Sequence, residues 1–141
     1  MGDVLQCTAM HAWLILAESA SAHPDGTVSI LRAGINRLMA DKTPILCRAA
    51  IVARIEAEPS ERGTHSFSIV CIDVDGKERL PTISATFEIP PQGGQNNIII
   101  GMSAQLPEFG IYVFALSVDK MEQARFVLRA EKIEVQSGHG L

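Results

Sequence analysis

The four histidines could each hold a metal ion or transfer a proton, but their spacing fits neither role. His11, His23, His65 and His139 are far apart in the 141-residue chain. Zinc sites usually draw on pairs of ligands that lie close together in the sequence. No such pair occurs, and no Cys-x-x-Cys spacing is present. The sequence therefore predicts no metal site and no cofactor.

Acidic residues gather in one short stretch, Asp73, Asp75 and Glu78. Such a cluster is similar to a calcium-binding loop, but the twelve-residue frame with its terminal Glu is missing. The Asp75-Gly76 pair is instead typical of a β-hairpin turn. Calcium held between loops, with Asp25 as a further oxygen donor, is the alternative.

Motifs for nucleophilic catalysis are missing. The chain contains no Gly-x-Ser-x-Gly and no glycine-rich phosphate loop ending in Lys-Ser or Lys-Thr. Cys47 and Cys71 lie in strand patterns without an activating cation, since Arg48 is predicted on the opposite face from Cys47, so we expect both to pack as small apolar groups. With Cys7 the count is odd, which indicates reduced thiols in a cytoplasmic protein.

The elements that would position these residues are strands. Ile111 to Val118 is β-branched, aromatic or small throughout, which is a strand composition. Ala124 to Lys132 alternates apolar with charged residues, and the polar stretch Asp119 to Gln123 joins the two as an antiparallel hairpin. A helix over Met121 to Lys132 is the alternative.

Earlier strands show the same period of two. In Ile45 to Glu56 all six odd positions are apolar, and Trp13 is expected to anchor the core. Arg37 to Pro44 is expected to be a connection. Strands are predicted over Met10–Glu18, Thr27–Asn36, Ile45–Glu56, His65–Val74, Pro81–Ile89 and Asn96–Ser103.

About eight short strands with turns between them predict an all-β fold, an antiparallel β-sandwich with little or no helix. A barrel is the less favoured closure of the same strands. We expect a single domain over 10–135, with an N-terminal tail over 1–9 and a C-terminal tail over 136–141.

Composition excludes several classes of partner. The net charge is −4 with no run of Lys or Arg, which disfavours nucleic acid. No stretch approaches the eighteen or so apolar residues of a membrane helix. The apolar fraction of 47% is that of a folded domain.

The order of motifs resembles a family. An Asp25-Gly26 turn, an Asp-x-Asp-Gly-Lys turn from Asp73 to Lys77, the Pro90-Pro91 loop and a Pro-x-x-Gly-x-Tyr-x-Phe strand from Pro107 to Phe114 follow one another. This order is similar to that of small bacterial proteins grouped as a domain of unknown function. The resemblance implies a single β-sandwich-like domain in the bacterial cytoplasm, and it implies no activity.

Two functions are consistent with this sequence. The first is a non-enzymatic interaction module that binds a protein partner, or a second copy of itself, through an apolar sheet face or edge. The apolar residues opposite the predicted core faces motivate it: Val70, Ile72, Val74, Ile99, Ile111, Val113 and Val127. The alternative is an enzyme or small-ligand binder with its site in the loops at one end of the sandwich. Its candidates are His23, Asp25, Asp73, Asp75 and the loop from Pro90 to Gln95.

Overall fold

Alternation of apolar and polar side chains produces nine strands over residues 10–134, the part of the chain that this computed structural model describes. One short 3₁₀ turn, Pro59–Glu61, is the only helical element in that part. The strands are β1 (His11–Ala22), β2 (Val28–Ala33), β3 (Arg37–Ala40), β4 (Ile45–Ala57), β5 (Gly63–Ile72), β6 (Glu78–Ile89), β7 (Gly94–Leu106), β8 (Gly110–Val118) and β9 (Met121–Lys132).

Two sheets carry these strands. Sheet A has the order β2-β1-β4-β7, and sheet B has the order β3-β9-β8-β5-β6. All neighbours are antiparallel except β3 and β9, which run parallel. The predicted all-β sandwich is therefore confirmed, with nine strands and one parallel pair.

The core lies between the sheets and is built from alternate residues of every strand except β2. Phe114 of β8 is 2% exposed and stacks on Phe126 of β9, with ring centroids 4.7 Å apart. Ile51 and Ile55 project from β4, and Ile83 belongs to the half-buried residues that pack against the core from β6. The odd positions of β4 thus point inward as its alternation predicts.

Strand β3 was missed by the sequence prediction, which treated Arg37 to Pro44 as a connection. Arg37–Ala40 pairs with Arg129–Lys132 of β9. Gly34 ends the preceding strand early, at Ala33, by adopting φ = 89°, and the chain then crosses from sheet A to sheet B. A four-residue strand is too short to show a period of its own.

The β8–β9 hairpin has a tighter turn than its polar sequence suggested. Only Asp119 and Lys120 form the turn, both at positive φ (50° and 71°), as a two-residue type I′ turn requires. β9 therefore begins at Met121, and the alternative of a helix over 121–132 is wrong.

Trp13 was expected to anchor the core, and this prediction is wrong. On β1 the inward residues are Leu14 and Leu16, which are 4% and 1% exposed, whereas Trp13 is 38% exposed on the outer face of sheet A. Both faces of β1 are apolar, so the alternation alone does not identify the inward face.

The β1–β2 hairpin folds back over the outer face of sheet A. β1 pairs with β4 only as far as Ala17, and beyond that residue it pairs with β2 alone. At the tip of this hairpin the Gly26 carbonyl accepts a hydrogen bond from Asn97 of β7 at 2.9 Å, although β4 lies between β1 and β7. The fold-back explains why Val52, on the outer face of β4, is fully buried.

Candidate functional site

Five of the seven apolar residues that motivate the predicted interface lie together on the outer face of sheet B. Val127, Val113 and Ile72 face one another across three adjacent strands, because Val113 pairs with both of the others. Val70 lies two residues along β5, and Ile111 two residues along β8. We call these five side chains the sheet B patch. Four are half-buried by their neighbours, and Val127 is 39% exposed.

Polar residues border the sheet B patch on two sides. On β9, Arg125 precedes Val127 on the same face and donates to both carboxylate oxygens of Glu122, at 2.6 and 2.9 Å. Along the other border, Ser68 stands directly opposite Ser117 on one side and Ser84 on the other. These hydroxyls line a shallow depression of about 460 Å³ that Ser66, Thr86 and Lys120 complete. An apolar centre with a polar rim is the usual composition of a protein interface.

Ile99 is separated from the other interface candidates. It lies on the outer face of β7, opposite Val52 of β4, and therefore belongs to sheet A. Val74 lies in the β5–β6 turn at 72% exposure, outside both faces. Neither residue therefore belongs to the group of five on sheet B.

A histidine–aspartate pair lies where β5 meets the β8–β9 turn. His65 Nδ1 is 2.5 Å from an Asp119 carboxylate oxygen, and His65 Nε2 is 2.6 Å from the Glu61 carbonyl. The other Asp119 oxygen accepts a hydrogen bond from the Ser66 backbone N–H at 3.0 Å, and the ring stacks on Phe87. Both ring nitrogens face acceptors, and this geometry favours the doubly protonated ring, which can donate to both.

Hydrogen bonding controls the charge of this pair. The hydrogen bond to the Asp119 carboxylate raises the pKa of His65 and outweighs the opposing effect of burial on this side chain, which is 17% exposed. Burial by itself would raise the pKa of Asp119, but the hydrogen bonds from His65 and Ser66 outweigh it and lower that pKa. With Nε2 capped by a carbonyl, no lone pair is free to accept a proton, and the pair acts as a clamp between strands.

The first pair of loop candidates, His23 and Asp25, stabilises its own turn. Asp25 Oδ1 accepts hydrogen bonds from the backbone N–H and the hydroxyl of Thr27, at 3.0 and 2.6 Å. These two bonds lower the pKa of Asp25. His23 Nε2 lies 2.7 Å from the Ser29 hydroxyl.

The second pair, Asp73 and Asp75, forms the β5–β6 turn. Asp73 Oδ1 accepts from the backbone N–H groups of Asp75 and Lys77, at 2.9 and 3.0 Å, and the bond from Lys77 is the main cause of the lowered pKa of Asp73. Arg79 reaches the same carboxylate at 3.4 Å.

The two acidic turns lie at opposite ends of the sandwich. Asn97, near the start of β7, contacts the Asp25 turn, whereas Arg79 links Asp73 to Glu108 just beyond the end of β7. Asn97 and the last residue of β7 are about 30 Å apart along an extended strand. The loop from Pro90 to Gln95 shares the end of the Asp25 turn, so the structure does not bring the four acidic and histidine candidates together.

The described cysteines are buried and reduced. Cys47 and Cys71 are 2% and 3% exposed and form no disulfide. Burial raises the pKa of Cys47, and burial together with the nearby Cys47 raises the pKa of Cys71 to about 12. Both thiols therefore stay protonated and unreactive at neutral pH.

An apolar cleft opens where the two sheets separate, between the edge strands β6 and β7. It has a volume of about 220 Å³. Its floor contains Phe114 and Cys71, and its mouth is lined by Leu80 and Ile83 on one side and Met102 on the other. No charged side chain lines it.

Residues 10–134 contain neither a cluster of metal ligands nor a helix suited to a membrane. No group of three or more His, Cys, Asp or Glu side chains is placed to hold a metal ion there. In the same part of the chain, no helix has the length and apolar character needed to cross a membrane.

The architecture defines the class of this protein as a single-domain all-β sandwich of two sheets. Residues 12–131 match the profile of a family of unknown function, DUF6941, and the chain belongs to that family. A comparison with curated proteins finds no match. The matched region contains the sheet B patch, the His65 clamp and the cleft.

Proposed function

We propose that this domain is a non-enzymatic interaction module that binds a protein partner through the outer face of sheet B. The convergence of Val70, Ile72, Ile111, Val113 and Val127 on one face supports the proposal. These positions are scattered over three strands of the sequence, yet the register of β5, β8 and β9 places them side by side. A contiguous apolar area with a polar border marks a contact surface.

The alternative, a ligand site or enzyme site in the end loops, has less support. A binding site needs its polar groups to converge on one volume. Here the carboxylates of Asp25 and Asp73 bind their own turns at opposite ends of the molecule. The buried, protonated thiols of Cys47 and Cys71 support a location in a reducing compartment, and we propose the bacterial cytoplasm.

Val127→Lys tests the proposed function, because Val127 is the most exposed member of the patch and tolerates a charge without loss of core packing. The full chain is immobilised and exposed to an extract of its source cells, and retained proteins are identified. We expect a partner that the wild type retains and Val127→Lys loses by at least about tenfold. Leu46→Lys is the matched control, since Leu46 is 53% exposed on β4 of the other sheet.

Two results contradict the proposal. One is a partner that Val127→Lys and the wild type retain equally, which would place its contact elsewhere. The other is a partner lost equally by Val127→Lys and Leu46→Lys, which would indicate a general effect of added charge.

A further inference from the structure

The β7 edge of sheet A is open, in contrast to the other sheet edges. β7 is thirteen residues long, contains no proline and no ionisable side chain, and pairs with β4 without a register shift. No strand in residues 10–134 pairs with its other side. Soluble proteins normally block such an edge, because its free N–H and C=O groups bind any other strand.

The three other edge strands carry the usual protection. β2 has six residues and includes Arg32, and β3 has only four. β6 is long, but it contains Pro81 and charged residues at 78, 79 and 88, and its pairing with β5 shifts register twice. Of the four edge strands in the described part of the chain, β7 alone lacks such protection.

Backbone alternation identifies the groups that β7 presents. The Leu16 carbonyl accepts hydrogen bonds from the N–H groups of Gly34 and Ile35, so the even residues of β1 point towards β2. The backbone groups of the odd residues of β1 then bond to β4, where they meet even residues such as Val52. The odd residues of β4, such as Ile51, bond in turn to the even residues of β7, such as Ile100. The N–H and C=O groups of Ile99, Gly101 and Ser103 therefore point to the free edge.

We propose that a second copy of this chain pairs with that edge, β7 antiparallel to β7, so that two four-stranded A sheets join into one of eight strands. Two-fold pairing brings a strand against its own reversed copy, and like charges directly opposite would repel. β7 meets this condition because it has no charged residue. The pairing uses up the open edge of both copies, so assembly stops at the dimer.

The apolar cleft adds a hydrophobic contribution to this dimer. The two-fold axis of such a pairing is perpendicular to the sheet, so both B sheets lie on the same side of the joined A sheets. The mouths of the two clefts, at Leu80, Ile83 and Met102, then face each other beneath the continuous sheet. Apolar side chains that are half-exposed in one copy are withdrawn from water in two.

The β7 edge shares no residue with the sheet B patch, although Val70 of the patch also lines the cleft. Substitutions at Gly101 of β7 therefore test the dimer without changing any patch residue. The test compares the full wild-type chain with Gly101→Pro, which removes one free-edge N–H per copy while edge strands tolerate proline. Gly101→Ala is the matched control, because a Cβ there meets no atom within 4 Å. Light scattering measures mass, and amide hydrogen exchange at Ile99, Gly101 and Ser103 locates the contact.

We expect 30.4 kDa for the wild type, twice the 15.2 kDa of one chain, and the same for Gly101→Ala. Gly101→Pro should have a dissociation constant at least about tenfold larger, with fast exchange of the Ile99 and Ser103 amides. Gly101→Lys, which places like charges across the pairing, replaces the proline variant if that variant does not fold. A wild type that stays at 15.2 kDa at high concentration overturns the proposal, and so does a dimer unaffected by either variant.

Discussion

At the scale of single residues, His65 and Asp119 are of types that can act in acid–base catalysis, but their contact here holds parts of the fold together. A general base needs a nitrogen lone pair directed at the substrate. In His65 both ring nitrogens face protein acceptors, and the ring is packed on Phe87. The contact joins the start of β5, the 3₁₀ turn and the β8–β9 turn, which are distant in the sequence.

This clamp gives the stability of the domain a pH dependence. The pKa of His65 is raised above 6.5 in the folded protein. The contribution of the His65 charge to the free energy of unfolding is therefore complete below pH 6.5 and is lost as pH rises through the raised pKa. The pKa of Asp119 is lowered below 3.8, so its contribution is present above pH 3.8 and is lost as pH falls through the lowered pKa. The clamp is therefore strongest between about pH 4 and 6.5.

Asp119→Asn should remove most of this dependence. Asn tolerates the positive φ of position 119 and keeps an acceptor for the Ser66 N–H, but it lacks the charge that holds the His65 cation. Urea unfolding of the wild type should give a free energy about 1 kcal/mol lower at pH 9 than at pH 6, a value discounted for solvent exposure of the carboxylate. The variant should show a smaller difference, whereas the control His11→Gln should behave like the wild type. An unchanged pH profile in Asp119→Asn would show that the clamp is not the titrating contact.

At the scale of elements, turns determine where the strands of the two sheets meet. The β6–β7 turn carries the chain from sheet B to sheet A and rests against the end of β4. Gly93 in this turn has φ = 77°, and a Cβ there would lie 2.8 Å from the Ala57 carbonyl oxygen and 2.9 Å from the Pro59 nitrogen. Glycine is therefore needed at this position for two reasons, its conformation and its contact with the β4 backbone.

Gly93→Ala and Gly76→Ala separate these two reasons. Gly76 has nearly the same φ, 79°, but its added Cβ would meet open space. Gly76→Ala should lower the free energy of unfolding by about 1 kcal/mol, the cost of the left-handed conformation. Gly93→Ala should lower it by about 2 kcal/mol or more, because backbone atoms must also move. Urea midpoints measure both, and equal losses would show that β4 does not confine the turn.

At the scale of the whole molecule, the two faces of sheet B lie in different environments. The inner face supplies the core, with Leu116 and Leu128 fully buried. The outer face carries the sheet B patch, whose apolar side chains do not reach the core. One sheet can therefore bury one row of apolar side chains in the core and leave another row on its outer face, since successive side chains alternate between its faces.

Paired alanine substitutions in β8 and β9 should reveal this division. Leu116→Ala removes a buried side chain and should lower the free energy of unfolding by about 2–5 kcal/mol. Val127→Ala, on the outer face, should lower it by less than about 1 kcal/mol. Urea unfolding measures both changes. A loss at Val127 as large as that at Leu116 would mean that the patch belongs to the core and is not a surface for a partner.

Much of the fold could be predicted because the alternation of apolar and polar residues along a strand is a local pattern. Alternation in β4 and β6 correctly identified the inward positions, including Ile51 and Ile83. Asp-Gly pairs at Gly26 and Gly76 correctly marked two turns, where glycine adopts positive φ. These features depend on neighbouring residues alone, and neighbouring residues are what a sequence displays.

The prediction failed where a strand is apolar on both faces or is too short to show a pattern. β1 is apolar on both faces, so its pattern was equally consistent with Trp13 or Leu14 facing inward. β3 spans four residues, and its parallel partner follows about ninety residues later in the chain, as the Arg37–Glu131 contact across 94 positions shows. Pairing of this kind is determined by the whole fold.

The sequence by itself determined the fold class, the inward rows of most strands and a set of apolar residues left over from the core. Only the tertiary structure decided that five of these residues share one face, that Ile99 lies on the other sheet, and that His65 meets Asp119 across 54 positions. The physical reason is that alternation sets the face of a side chain within its strand, whereas strand order and register, which arise from packing the entire chain, set its neighbours.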